Sequence, residues 1–166
     1  PQRDDDNTST KDPLAAKVTT GESVDFSKSC GGADRIVVIA TVATGVFVGT
    51  DQIIEIALVT LGLTGTVLDV WETLVRPSRA ISTTSTGGTS ESILQGAPYF
   101  EEIAGDVASR LDGACPAGHD LSFDLEMVSR EFELLGSNLT TSAGFDTLIA
   151  TRMRLSLACV AHGVEY

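Results

Sequence analysis

Four β-branched apolar residues stand in a row at positions 36–39, and Ala40, Val42 and Ala43 follow before Thr44-Gly45 ends the run. An unbroken apolar stretch closed by a turn signal predicts a strand over about 35–42, buried on both faces at the centre of a sheet. A second strand is predicted at 53–61, IIEIALVTL, and Gly62-Leu63-Thr64-Gly65 reads as a turn. A third follows at about 66–75, where Val67, Asp69, Trp71 and Thr73 alternate with Leu68, Val70, Glu72 and Leu74. Short connections join these three, which predicts an antiparallel meander.

The periodicity then changes. Residues 76–96 read as a loop, opened by Arg76-Pro77 and dominated at 82–90 by Ser, Thr and Gly. Beyond Pro98, the residues Phe100, Ile103, Ala104, Val107, Ala108 and Leu111 recur at helical spacing, and Gly113 closes the helix. Ala114 to Gly118 fits a fourth strand reached by a crossover. Pro116 is awkward there, because a central strand needs its amide hydrogen. Asp120 suits an N-cap, and Leu121, Leu125, Val128, Phe132 and Leu135 form the stripe of the next helix. A last helix is expected at about 147–162. The order β-β-β-α-β-α-(β)-α describes an α/β fold, a mixed sheet with helices packed on it. Residues 1–34 are polar, lack apolar periodicity and read as a mostly disordered acidic tail, leaving 35–166 as the folded domain.

Composition narrows the classes. The 166 residues suffice for one domain with a real core. No apolar run reaches the roughly 18 residues of a membrane helix. Asp4, Asp5 and Asp6 with no apolar run near them do not make a secretory signal, so the cytoplasm is the expected location and no membrane partner is expected. A formal charge of −12 counts against a protein that simply coats nucleic acid. It leaves room for a metal-dependent nuclease, whose bound ions offset a carboxylate-rich pocket. The three cysteines, Cys30, Cys115 and Cys159, are odd in number and widely spaced, and read as reduced thiols. His119 and His162 do not stand at ligand spacing from them, so a zinc site is not expected.

Taken in order, these pieces resemble the DEDDh 3′–5′ exonuclease family, the DnaQ-like group that includes the proofreading subunit of bacterial DNA polymerase III. The resemblance covers about 35–166. The family's first strand ends D-x-E-T-T-G, and here that stretch reads Ala40-Thr41-Val42-Ala43-Thr44-Gly45. Ile53-Ile54-Glu55-Ile56 matches the second strand, and Thr73-Leu74-Val75-Arg76-Pro77 matches the end of the third. Thr86-Gly87-Gly88-Thr89 stands where the family has H-G-I-T, without the histidine and isoleucine. Gly96-Ala97-Pro98 matches the helix entry. His119-Asp120-Leu121-Ser122-Phe123-Asp124 matches H-N-x-x-F-D, and Asp146-Thr147-Leu148 matches the D-T-L before the last helices. The final H-x-x-x-x-D motif is expected after Gly163-Val164, and the sequence stops at Tyr166.

The resemblance implies a ribonuclease H-like fold and a two-metal phosphodiesterase chemistry. Four carboxylates hold two Mg²⁺ or Mn²⁺ ions, one metal delivers hydroxide, the other stabilises the leaving oxygen, and a histidine serves as general base. By alignment the first Asp and Glu are Ala40 and Val42, which offer no lone pair to a cation. Asp124 is the third carboxylate and the one retained, a weak residual metal position at most. No cofactor is therefore expected for this chain. The same alignment points to Thr44, Gly45, His119 and Phe123 as nucleic-acid-binding positions.

Each position also has a plainer reading. Asp124 reads more simply as a solvated acid on a helix surface, and Asp120 as an N-cap. His119 is as well explained by a loop hydrogen bond. Glu55 is the nearest acid to the first strand, but its face is not legible in sequence. Arg76 with Arg79, and Arg152 with Arg154, read as solvated charge before they read as phosphate contacts. Trp71 reads as packing on the sheet. Residues 82–90 lack the G-K-[ST] of a phosphate loop.

Three functional readings follow. The first is an exonuclease-like protein that has lost 3′–5′ catalysis and acts as a nucleic-acid-binding or structural module, engaging a single-stranded 3′ end or a larger protein assembly. The second is a metal-dependent 3′–5′ exonuclease represented by an altered or incomplete chain. The third is a protein–protein scaffold subunit. The apolar residues at 40 and 42 favour the first.

Overall fold

The structure, a computed structural model, describes residues 30–79 and 91–165. These fall into two compact units, one running to Arg152 and the other from Met153 onward. The tail expected at 1–34 lies outside the described residues up to position 29, as does the Ser/Thr/Gly run.

The first unit is built on a five-stranded sheet of order β3-β2-β1-β4-β5. Strands β1 (Arg35–Ala43), β2 (Ile53–Gly62) and β3 (Val67–Leu74) form the antiparallel meander. β4 (Cys115–Gly118) lies parallel to β1, and the two-residue β5 (Phe145–Asp146) lies parallel to β4. The predicted meander and crossover strand are found within a residue or two. The loop after β3 also contains a short helix, α1 (Glu91–Leu94), that periodicity did not suggest.

Helices α2 (Phe100–Leu111) and α3 (Leu121–Leu134) cover one sheet face. Val37 and Ile39 of β1 and Ile56 and Leu58 of β2 meet Phe100, Val107, Met127, Val128 and Phe132 there in one apolar core. Trp71 packs against this core, as expected, with the Arg110 guanidinium 4.8 Å from its ring centre. Of the expected stripe of α3, Leu121, Val128 and Phe132 are buried, whereas Leu125 is half-buried and Leu135 exposed. The buried face also takes in Asp124, Met127 and Glu131.

The opposite face carries a smaller cluster around Cys30, Ile36, Cys115 and Ala117. The expectation of reduced thiols is corrected here. Cys30 and Cys115 form a disulfide, with Cα atoms 5.0 Å apart, and Cys159 is the free thiol. Sequence spacing hid the pair because the two cysteines are 85 residues apart. The parallel pairing of β1 with β4 brings them together by setting Cys115 beside Ile36. Cys30 is thus part of the folded unit rather than of a tail.

Two local difficulties resolve in the register. Pro116 sits in β4 without harm because β5 pairs only with Ala117 and Gly118 and never asks for the missing amide. A side chain at Gly118 would press on the Ile39 carbonyl at 3.2 Å and on Leu121, so glycine suits the tight passage where β4 runs into α3. The single last helix expected at 147–162 is instead two, α4 (Thr147–Thr151) and α5 (Leu155–Ala161). Arg152 ends the first in the left-handed region at φ 56°. No helix among the described residues is long and apolar enough to cross a membrane.

A disulfide that closes so long a loop restricts the unfolded chain strongly, by about 4 kcal/mol in the chain-entropy model. Thiol titration of the unreduced protein in guanidinium is expected to count one thiol, rising to three after reduction. Cys115→Ser should lower the denaturation midpoint, and three thiols without reductant would show the bond absent.

Candidate functional site

The end of β1 is where the chain's polar chemistry gathers. β4 ends at Gly118, level with the middle of β1, so the last residues of β1 have no parallel neighbour on that side. The amide of Thr41 is therefore free to bond elsewhere, and Asp124 of α3 takes it at 2.9 Å. The Thr41 hydroxyl donates to the same carboxylate oxygen at 2.7 Å. Asp124 is only 6% exposed, so the solvated surface acid expected from sequence is in fact a buried clip between helix and strand. Burial pushes its pKa up to about 6, against the opposing pull of the two Thr41 bonds, and the nearby charges of Asp120 and Asp146 add to the rise.

Ala40 and Val42 flank Thr41 on β1, and both are exposed, Val42 by 39%. Their partners across the ladder are Ala57 and Glu55. Directly opposed residues of an antiparallel pair share a face, so Glu55 lies beside Val42, which answers the question of its orientation. Among the described residues, no three His, Cys, Asp or Glu side chains are grouped to hold a metal.

The turn after β1 is held by Asp51. Its carboxylate accepts the Thr44 hydroxyl at 3.0 Å and the Phe47 amide at 2.8 Å. A Cβ at Gly45 would collide with that carboxylate, so Thr44 as a donor and Gly45 as a bare backbone both serve the turn itself. Nothing local in the sequence singled out Asp51.

His119 and Phe123 lie at the junction of β4 and α3. The His119 Nδ1 is 2.9 Å from the Thr147 hydroxyl, which donates its own hydrogen to the Gly118 carbonyl. The imidazole therefore donates from Nδ1. Phe123 is half-buried against the main core. Asp120 does occupy the N-cap position of α3, yet its side chain caps nothing and its backbone is left-handed at φ 73°. Asp146 does the capping instead. Its carboxylate accepts the amides of Asp120 at 3.2 Å and Leu121 at 3.0 Å, and also that of Leu148 in α4 at 2.8 Å. One carboxylate thus ties the starts of two helices. The D-T-L match located Asp146 in sequence but not this task.

The basic pairs separate. Arg76 stacks on Tyr99, 5.0 Å from the ring centre, and the Arg79 amide is held by Gln52. Arg152 caps α4 and Arg154 stands before α5 in the other unit, where His162 ends that helix.

The exonuclease model of the RNase_T family matches residues 37–162, most of the chain. The chain belongs to this exonuclease family. A DNA polymerase III subunit epsilon-like protein of Rhodobacter capsulatus is 36% identical over 106 residues, which cover 61% of this chain and 15% of that protein. A PolC-type DNA polymerase III of Caldanaerobacter subterraneus subsp. tengcongensis is 31% identical over 137 residues, covering 81% of this chain and 9% of the polymerase. The chain thus spans a small part of the length of these relatives. In three dimensions it resembles E. coli Exonuclease I, solved in complex with a dA16 oligonucleotide. The TM-score is 0.71 at 13% identity, over 80% of this chain and 37% of that one. The fold is the ribonuclease H-like α/β fold that the resemblance implied.

Asp124 gives a pH signature. Its folded-state pKa lies near 6 and its ordinary value near 3.8. Between these values the native state holds a proton that the unfolded chain has released, so this group's stabilising contribution is complete below about pH 4 and lost as pH rises through 6. Asp124→Asn keeps an oxygen for Thr41 and cannot ionise. It should match the parent near pH 4 and exceed it above pH 6 by roughly 2 kcal/mol. Urea unfolding across this range checks it, and a pH-independent difference would contradict it.

Proposed function

We propose that this chain is an exonuclease-like domain without 3′–5′ exonuclease catalysis, acting as a nucleic-acid-binding or structural module. The observation that carries the reading is the pair Ala40 and Val42. They stand on β1 at the family's first-motif positions, on either side of the residue that Asp124 grips. A two-metal phosphodiesterase needs several oxygen ligands converging on each ion. An alanine methyl and a valine side chain supply none, and one oxygen of Asp124 already serves Thr41 twice. The donor set on the described residues does not fit the metal pair.

Asp124 keeps a role without a metal, because it supplies the acceptor for the part-buried Thr41 amide and hydroxyl. The binding side of the reading rests on the fold shared with Exonuclease I and on the family positions Thr44, Gly45, His119 and Phe123. A single-stranded 3′ end is the partner this suggests. A protein assembly is the partner suggested by relatives in which the matching region is a small part of a polymerase chain.

The pure chain is expected to leave a 3′-labelled single-stranded oligonucleotide intact with Mg²⁺ or Mn²⁺. Shortening that depends on the metal and disappears in Asp124→Ala would overturn the reading. Ala40→Asp with Val42→Glu should bring two carboxylates to either side of Thr41 and raise Mn²⁺ affinity in titration calorimetry. Adding Asp124→Asn should reverse the gain, and no gain at all would count against the alignment of these positions.

A further inference from the structure

A cavity of about 310 Å³ opens between the start of β2, the segment after β3, the N-terminus of α2 and the C-terminus of α3. Its wall includes Arg76, Tyr99, Glu101, Glu131, Leu134 and Leu135. It is built from residues that the family's catalytic motifs do not use.

Glu131 is the unusual member. It is 7% exposed, yet among the described residues its carboxylate takes a single donor, the Ile53 amide at 3.3 Å. An ionised carboxylate accepts several hydrogen bonds, so the second oxygen keeps capacity for a donor arriving through the cavity. Burial also holds the Glu131 pKa above its ordinary value, which a cation seated beside it would reverse. Beside this acid stand two apolar side chains that the fold leaves bare, Leu134 at 57% and Leu135 at 42% exposure. The one cation of the wall, Arg76, is stacked on Tyr99 and donates to the Gln95 carbonyl at 3.2 Å. Two carboxylates thus face one committed cation, on a chain whose formal charge is −12.

An arginine or lysine side chain matches this wall part by part. Its methylene stem suits the leucines, and its cationic head suits the spare oxygen of Glu131. A nucleic-acid strand would instead bring phosphates against Glu101 and Glu131. We propose that this groove docks a basic segment of a protein partner, with one arginine or lysine side chain inserted toward Glu131.

Amide shifts of the ¹⁵N-labelled chain on titration with acetyl-Leu-Arg-Leu-amide test this. Acetyl-Leu-Glu-Leu-amide and an oligothymidylate serve as the other arms. The arginine peptide should move the Ile53, Tyr99 and Leu135 amides, and the glutamate peptide should not. Glu131→Gln retains an oxygen for the Ile53 amide, so it should keep the fold while weakening the peptide about tenfold or more. Leu135→Ser, at an exposed position, should weaken it with the carboxylate intact. Equal shifts from both peptides, unchanged affinity in Glu131→Gln and Leu135→Ser, or no shift of these amides would overturn the proposal. Shifts produced by the oligothymidylate alone would overturn it in favour of a nucleic-acid groove.

Discussion

Two carboxylates of α3 hold the helix to the ends of the sheet. Asp124 takes the Thr41 amide of β1, and seven residues on, Glu131 takes the Ile53 amide of β2. Seven residues are two helical turns, so both acids fall on one face. The strands need these acceptors because an unpaired buried amide forfeits a hydrogen bond without recovering water. With these bonds made, Asp124, Met127 and Glu131 are buried beside Leu121, Val128 and Phe132, and Leu134 and Leu135 are exposed.

The same constraint bears on the apolar residues beside Thr41. In an active exonuclease of this family the third carboxylate is valuable for its metal. Here it is also a structural acceptor at a strand end that β4 does not reach. Ala40 and Val42 need no such partner, since their exposed side chains leave the backbone ladder with β2 intact. The fold therefore asks for an acceptor at 124 and for no carboxylate at 40 or 42. Gly118 likewise answers to packing, since Ile39 and Leu121 approach it closely whatever the chemistry nearby.

The start of α3 is fixed by a different device. Asp120 lies in a left-handed conformation that carbon-branched side chains avoid, and Asp146 satisfies the amides that its own side chain does not. Because Asp146 also caps α4, the β4–α3 and β5–α4 junctions form one polar knot, with His119, Thr147 and the Gly118 carbonyl closing it. The disulfide secures the opposite sheet face near the start of β1, within the smaller cluster of Ile36 and Ala117.

Periodicity was enough to place the meander, the crossover strand, α2 and α3, because alternation and helical spacing are local properties that burial of one face imposes directly. The motif residues at 40, 42 and 124 were equally visible, since side-chain type alone says whether a metal can be held. What sequence could not carry was any contact made across strands. The Cys30–Cys115 bond depends on which strand lies beside β1. The burial of Asp124 and Glu131 depends on amides that a neighbouring strand leaves free, and the double cap at Asp146 depends on two helices starting at one point. The sequence by itself determined the order of elements and the chemical poverty of the β1 end. Only the tertiary structure decided what each remaining acid does, because a carboxylate's role follows from the donors brought to it and those come from distant parts of the chain.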